Sequence, residues 1–338
     1  MIELDSKKRV LVINLGGIGD VLLSQTSVAG LKRKYDCKIY MMVVPRAKGI
    51  VQRWDFIEGF YEFPVGKIIY CLRILFSLRK EKFDLAVNMR TIHSVFSGLK
   101  IKYILKIISP EFSAGRNTQH RASFFDMEIQ EGEYDNIHEL DYCIKQVNSL
   151  GVESFDEKFK LYLEDEDFNI KRRNKIKNYA VIHPGAAVKT KQWPVERFAQ
   201  VVDYIVNCGI AKQIVITGTQ EDREKSVYIK NKINGDVIDL TGKTSLMEAA
   251  AVVSKAKIFV TNDTGVMHMG AVLGVPMVAV FGPGDFQRYN PERISPNAAA
   301  FYTGEDCSPC EKKKCKDMRC VRNIEVSDVK DKINEIIQ

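Results

Sequence analysis

Short apolar runs alternate along the chain with longer stretches of helical periodicity, and that alternation predicts the architecture. Val10-Leu-Val-Ile-Asn-Leu15 is a continuous apolar run of the kind that a parallel strand buried on both faces requires. Gly16-Gly-Ile-Gly-Asp20 follows it directly and leads into a helix expected from about residue 21 to 35. Residues 38–44 and 83–89 read as further strands, with helical patterns between them. A second series starts at Tyr179, with strands at 179–183, 213–217, 237–240, 257–261 and 277–281 and helices starting near Val195 and Leu246. The pattern predicts an α/β chain of two Rossmann-like, doubly wound parallel sheets.

Between them, residues 153–178 are rich in charge, with Glu164-Asp-Glu-Asp167 and then Lys171-Arg-Arg173. This composition shift places the boundary between a first domain, residues 1–170, and a second, residues 171–325. The tail, residues 326–338, sets Val329, Ile333, Ile336 and Ile337 on one helical stripe behind Ser327 as a cap. Such a stripe must pack on something, and the first domain is one candidate. There are no tandem repeats and no low-complexity tracts.

Composition narrows the class. The 338 residues are 45% hydrophobic and 28% charged, which suits about two globular domains. The net charge of +7 points to an anionic partner. Few aromatic residues interleave with the basic clusters and no reading module is recognisable, so nucleic acid is not the expected partner. The first nine residues lack a signal-peptide core, and no apolar run approaches the ~20 residues of a membrane helix. The nearest, residues 68–78, is cut by Arg73. A cytoplasmic protein is expected. Residues 68–108 are both apolar and basic, and they have two readings: helices resting on an anionic membrane surface, or core helices with solvated lysines, the preferred one.

Cys37, Cys71, Cys143 and Cys208 are scattered and read as small buried residues in a reducing compartment. Cys307, Cys310, Cys315 and Cys320 instead form C-x2-C-x4-C-x4-C, a density that suits a tetrahedral zinc or iron ion. Four thiolates leave no open coordination position, so a structural knuckle is favoured over catalysis; four free cysteines in a surface loop are the alternative.

Candidate chemistry gathers at strand ends. In Val260-Thr-Asn-Asp-Thr-Gly-Val-Met-His-Met-Gly270, Asp263 and Thr264 are natural N-cap residues and Gly265 allows a ligand close to the backbone. An anion suits such a turn, and so does an ordinary capped helix. In His183-Pro-Gly-Ala-Ala-Val-Lys-Thr-Lys-Gln-Trp-Pro194 a strand runs into a glycine turn, with Lys191 placed for a phosphate and Pro194 poised to begin a helix. The first turn, Gly17 to Leu22, has leucine where the third glycine of a dinucleotide fingerprint belongs, so it is a weak nicotinamide signal. Arg116, His120 and Arg121 lie in a loop-like segment and could meet an acidic acceptor.

Taken together, these segments resemble glycosyltransferase family 9, the inverting ADP-heptose:lipopolysaccharide heptosyltransferases of the GT-B fold. The resemblance spans nearly the whole chain. It rests on Gly16-Gly-Ile-Gly-Asp-Val-Leu22, Phe83-Asp-Leu-Ala-Val-Asn-Met89, His183-Pro-Gly185 with Lys191-Gln-Trp-Pro194, Leu240-Thr-Gly242, Asn262-Asp-Thr-Gly-Val-Met-His268 and Phe281-Gly-Pro283. It implies that Asp20 is the general base and that Lys191 contacts the donor diphosphate. It implies a nucleotide-sugar site of Asp263, Thr264, Gly265 and His268, with Gly17, Gly19 and Gly185 also binding the donor. Family members often place threonine or serine where this chain has Ala186 and Ala187, which leaves backbone N–H groups or Thr190 to contact phosphate. Gln220 or Glu221 is the candidate to hold the nucleoside.

The implied reaction moves a heptose from ADP-heptose to the anionic inner core of lipopolysaccharide or lipooligosaccharide, without a catalytic metal, in a cleft faced by the two domains. The protein would then be cytoplasmic and can touch the inner membrane peripherally. Similar cysteine clusters near the C-terminus occur in some family members, in keeping with a structural zinc or iron. Another nucleotide sugar or a protein acceptor is the runner-up. A non-catalytic nucleotide-binding module and a dinucleotide-dependent oxidoreductase are the readings from other classes.

Overall fold

The computed structural model of the protein describes residues 5, 7–132, 135–153 and 158–337. The chain divides into two compact units, Met1–Phe159 and Lys160–Gln338.

The first unit is built on six parallel strands: β1 (Arg9–Asn14), β2 (Lys38–Val43), β3 (Gly59–Glu62), β4 (Leu85–Asn88), β5 (Phe112–Thr118) and β6 (Met127–Glu131). They lie in the order β3-β2-β1-β4-β5-β6, with Val10 of β1 registered against Ile39 on one side and Leu85 on the other. Val10 to Ile13 are wholly buried, the fate expected of a central strand covered on both faces. The second unit repeats the plan with β7 (Tyr179–His183), β8 (Gln213–Ile216), β9 (Asp236–Asp239), β10 (Phe259–Asn262), β11 (Met277–Val280) and β12 (Ala298–Phe301). Its order, β9-β8-β7-β10-β11-β12, is the same winding. In each unit the chain runs outward from its first strand and then returns to that strand's other side for its fourth. The carboxyl ends of β1 and β4, and of β7 and β10, therefore mark the switch points where open α/β sheets bind ligands.

Helices cover the faces. In the first unit these are α1 (Ile18–Tyr35), α2 (Ile68–Lys80), α3 (Val95–Ile108) and α4 (Glu139–Ser149). In the second they are α5 (Val195–Asn207), α6 (Arg223–Lys232), α7 (Leu246–Val253), α8 (Gly265–Val272) and α9 (Val326–Ile337), with shorter helical turns between. α2 and α3 each bury one stripe: Cys71, Leu75 and Leu78 from α2, and Ile101, Ile104, Leu105 and Ile108 from α3, pack beneath Leu11 and Phe83. Their other faces are also apolar and are exposed, so the reading of these helices as core elements covers only half of each.

Four sequence expectations are corrected. The boundary falls before residue 160, because Ile170 and Ile176 bury with Tyr179 in the second unit's core and Arg173 pairs with Glu248 at 3.2 Å. The tail helix belongs to the second unit, where Val329 and Ile333 are fully buried beside Val201 and Val202, and it starts at Val326 rather than behind Ser327. Arg116 is in strand β5, not a loop. Cys208 is exposed, whereas Cys37, Cys71 and Cys143 are buried as expected.

Candidate functional site

In the first unit the switch point holds a carboxylate and a guanidinium. The turn after β1 is fixed by Asn14, whose amide oxygen accepts from Gly16 N at 3.2 Å and whose amide nitrogen donates to the Asp20 carbonyl at 3.0 Å and to Ser24 Oγ at 3.1 Å. α1 begins there with Gly17 as N-cap, and Gly19 is buried in its first turn. Asp20 Oδ2 accepts from Gly17 N at 2.6 Å, closing that turn. A Cβ on Gly16 would stand 2.6 Å from the Asp20 carboxylate, so only glycine permits the approach. Arg90, in the loop after β4, donates from Nη1 to Asp20 Oδ1, and the side chains of the pair are 21% and 13% exposed. Arg46 brings its Nη2 within 3.7 Å of where a Gly17 side chain would begin. Asp20 is thus a helix-capping carboxylate with one oxygen tied to the backbone and the other to a cation.

Of the three residues expected to meet an acceptor, Arg116 is corrected outright. It is completely buried, donating to Glu139 Oε2 at 3.0 Å, Glu131 Oε1 at 3.3 Å and Gln146 Oε1 at 3.3 Å. A buried arginine matched to two carboxylates is structural, and it holds β5 to β6 and α4. His120 is exposed at the turn after β5, and Arg121 is half-buried, donating to the Ile92 and His93 carbonyls.

In the second unit the loops after β7 and β10 are stapled together. Asn262, fully buried at the end of β10, donates to the Pro184 and Gly185 carbonyls at 3.0 and 3.3 Å and accepts from Trp193 N at 2.9 Å. The staple holds the segment between, which carries Lys191, against the start of α8. Lys191 Nζ donates to Asp263 Oδ2 at 2.5 Å. Thr264 is the N-cap of α8, its Oγ1 accepting from Met267 N at 3.3 Å, and Gly265 opens the helix. The first-turn N–H groups and an ammonium are therefore neighbours, a combination suited to an anion. The third strand-end loop approaches as closely as backbone allows. A Cβ on Gly284 would lie 2.5 Å from Asp263 Oδ2 and 3.1 Å from Lys191 Nζ. His268, buried in α8, meets the Tyr289 ring edge-on at 6.1 Å.

Gly185 faces a residue that sequence reasoning missed. Its Cβ position would be 2.2 Å from Asp222 Oδ2, a buried carboxylate that accepts from Thr219 N at 3.0 Å and Lys225 Nζ at 2.9 Å. Burial pushes the Asp222 carboxyl up, but the hydrogen bonds from Lys225 and Thr219 outweigh it and hold the group below the usual carboxylate range. The neighbouring Glu221 is exposed, and Gln220 packs over Gly242, so of the three acidic or amide groups in this loop only Asp222 is turned inward. His183 is buried at the end of β7, its Nδ1 3.1 Å from Thr217 Oγ1, and burial lowers its pKa to about 4.

Thr190 is also corrected. It is 2% exposed, and its hydroxyl donates to the Lys312 carbonyl at 2.6 Å, so it anchors the cysteine-bearing segment instead of facing a ligand. That segment is tied a second time by Cys310 N and Glu311 N, which donate to the Pro283 carbonyl at 3.1 and 2.9 Å. Residues 307–320 thus brace the two loops that carry Lys191 and Gly284.

Burial first, and then the charges of Cys310, Cys307 and Cys315, push the Cys320 thiol up to about 11. Met318 N donates to Cys315 Sγ at 3.4 Å, and backbone donors hold the Cys315 thiol below its usual range. Four sulfur donors with a backbone N–H on one of them suit a tetrahedral ion chemically. Among the described residues, however, no group of three or more His, Cys, Asp or Glu side chains is placed so that it could hold a metal ion. A surface cavity between α5, α6 and α9, lined by Gln200, Asp203, Tyr228 and Lys330, contains none of the expected site residues.

The model of glycosyltransferase family 9 (heptosyltransferase) matches residues 71–320. Lipooligosaccharide heptosyltransferase 2 of Campylobacter jejuni is 29% identical over 299 residues, covering 82% of this chain and 85% of the relative. Among solved structures, the family 9 glycosyl transferase of Veillonella parvula superposes with a TM-score of 0.82 at 22% identity, covering 99% of this chain and 98% of that one. E. coli ADP-heptose lps heptosyltransferase II does so with a TM-score of 0.77 at 19% identity, covering 97% and 98%.

Proposed function

The chain belongs to glycosyltransferase family 9, and from that premise we propose that it transfers a heptose from ADP-heptose to the inner core of lipopolysaccharide or lipooligosaccharide with inversion at the anomeric carbon. The observation that carries the donor half is the Lys191–Asp263 pair at the N-terminus of α8, on the switch point of the second sheet.

Asp20 takes the proton of the acceptor hydroxyl as that oxygen attacks the anomeric carbon. The bond from the anomeric carbon to the donor diphosphate breaks, and the nucleoside diphosphate departs with the electron pair. Lys191 and the first-turn N–H groups of α8 stabilise the charge that develops on it. Gly265 leaves the backbone at the start of α8 open to the diphosphate, while Gly185 and Gly284 make room for the Asp222 carboxylate and for the Lys191–Asp263 pair. Gln220 or Glu221 holds the nucleoside, and the buried Asp222 orders the loop beside Gly185. Arg90 acts through Asp20, holding the base carboxylate in place. Gly17 and Gly19 shape the turn that presents it.

The cysteines Cys307, Cys310, Cys315 and Cys320 would hold a structural zinc or iron ion. Bound there, the ion would cross-link the segment that braces the Lys191 and Gly284 loops and would take no part in the transfer. Elemental analysis of purified protein finding neither metal ends that proposal. The protein works in the cytoplasm as a peripheral partner of the inner membrane, where an anionic lipid-linked acceptor is presented; no helix of the described residues is long and apolar enough to cross the bilayer.

A screen of nucleotide sugars and core acceptors with mass-spectrometric product detection tests the reading. ADP-heptose should be consumed with one heptose added to the acceptor. Turnover with only a different nucleotide sugar, or with a protein acceptor alone, overturns the donor or acceptor assignment.

A further inference from the structure

Ten of the twelve large apolar side chains that the described residues expose lie on α2, on α3 or just before α2. On α2, Ile68 and Ile69 are 74% and 72% exposed and Phe76 is 57% exposed; on α3, Val95, Phe96 and Tyr103 are 64%, 84% and 60% exposed. They form coherent outward stripes, at i, i+3 and i+7 from Ile69 and at i, i+4 and i+8 from Val95, opposite the stripes that bury Leu75 and Ile104. The two helices pack on each other, and Arg79 of α2 donates to the Ile107 carbonyl of α3 at 3.0 Å, so their outer faces form one surface. Monomeric proteins rarely leave so large a patch uncovered.

The charge on this surface selects its partner. α2 contains Arg73, Arg79 and Lys80, α3 contains Lys100, Lys102 and Lys106, and neither helix contains an aspartate or a glutamate. A second copy docked face to face would set like charges against each other, which is unfavourable. An anionic bilayer satisfies both features at once: apolar side chains enter the headgroup–acyl boundary, lysines and arginines meet lipid phosphates, and Tyr103 suits the interfacial depth.

We propose that the outer face of α2 and α3 docks the first unit on the surface of an anionic lipid bilayer. The inference gives the proposed membrane contact its surface, and it rests on that reading. The test is co-sedimentation of the full chain with vesicles of phosphatidylcholine containing phosphatidylglycerol, and with vesicles of phosphatidylcholine alone. The wild type should pellet with the anionic vesicles and release them as salt rises. Ile69→Ser with Phe96→Ser, two well-exposed positions, should lower the partition coefficient by about tenfold or more. Arg73→Glu with Lys102→Glu should abolish the preference for phosphatidylglycerol. Both variants should transfer sugar to a water-soluble, deacylated acceptor at the wild-type rate, so a wild type inactive on that acceptor defeats the transferase reading and leaves docking to be judged by the vesicles. Wild-type protein that stays in the supernatant, equal binding to neutral vesicles, or unaltered binding by the variants overturns the proposal. So does sedimentation velocity showing a wild-type oligomer that the serine variant splits, which assigns the face to a second copy.

Discussion

Replacing Lys191 with methionine keeps the aliphatic stem and removes the ammonium that the site sets beside Asp263. A hydrogen bond to a charged group contributes roughly 1.5–3 kcal/mol, so the affinity for ADP should fall about 10- to 150-fold. Asp263, only 7% exposed, is then left beside the diphosphate without its cation, and its repulsion pushes the loss toward the upper end of that range. The variant should stay folded, because Lys191 is 26% exposed and solvent screens the pair; a stability loss of about 1 kcal/mol is expected. Isothermal titration with ADP measures the affinity, and a thermal melt checks the fold. Turnover at saturating donor should fall as well, since the leaving group gains charge in the transition state. Lys191→Met with Asp263→Asn separates the two effects: recovery of part of the affinity identifies the unopposed carboxylate. A Kd and a kcat within twofold of wild type, in a folded Lys191→Met protein, refute the cradle.

Three further outcomes follow from the geometry. Arg90→Gln should lower kcat roughly tenfold, the equivalent of about 1.4 kcal/mol of lost positioning of Asp20, and leave the Kd for ADP unchanged because Arg90 lies in the first unit. Thr190→Val removes the hydroxyl that donates to the Lys312 carbonyl at a cost of about 0.5–1.5 kcal/mol; it should lower the Tm and weaken ADP binding together, whereas an unchanged Tm would show that the cysteine segment is no brace. His183 is neutral when buried, and its pKa of about 4 lies below the ordinary value of 6.5, so the unfolded chain binds the extra proton first as pH falls. Folding stability should therefore drop between pH 6.5 and 4, by at most about 3 kcal/mol from this group, and His183→Gln should flatten that part of the denaturant-derived profile.

Strands buried on both faces were legible as apolar runs, as β1, β7 and β11 illustrate. β5 was not. Its sequence, Phe112-Ser-Ala-Gly-Arg-Asn-Thr118, is mostly polar, yet six of its seven residues are buried because each polar group finds a partner: Ser113 with Asp126, Asn117 with Glu128, Thr118 and Arg116 with Glu131. Compensation across 10 to 20 residues of sequence leaves no trace in a hydrophobic pattern, and the polar run reads as a loop with acceptor-binding arginines. β12, Ala298-Ala-Ala-Phe301, is hidden for another reason: alanine favours helix, and only parallel pairing with β11 makes it a strand.

The same division holds at the site. Asp263 and Thr264 stood out by their place after a predicted strand, whereas the roles of Asp20 and Lys191 came from the family resemblance. Arg90 and Asp222 could not, because their neighbours Asp20 and Gly185 are distant in sequence and come together only at the switch points. For Arg90 the one available signal was its place directly after the Phe83 to Met89 segment. α2 and α3 misled for the opposite reason: apolar residues all round suggest burial, and no periodicity distinguishes a buried face from an exposed apolar one.

The proposed transfer turns on Asp20 as the group that removes the acceptor proton. Asp20→Asn keeps the size of the side chain and an oxygen for Gly17 N, so the helix cap survives. Single-turnover transfer from ADP-heptose, followed by mass spectrometry, should slow by about 10²- to 10⁴-fold while the Kd for ADP stays within twofold. An Asp20→Asn protein that transfers sugar at the wild-type rate would contradict the account.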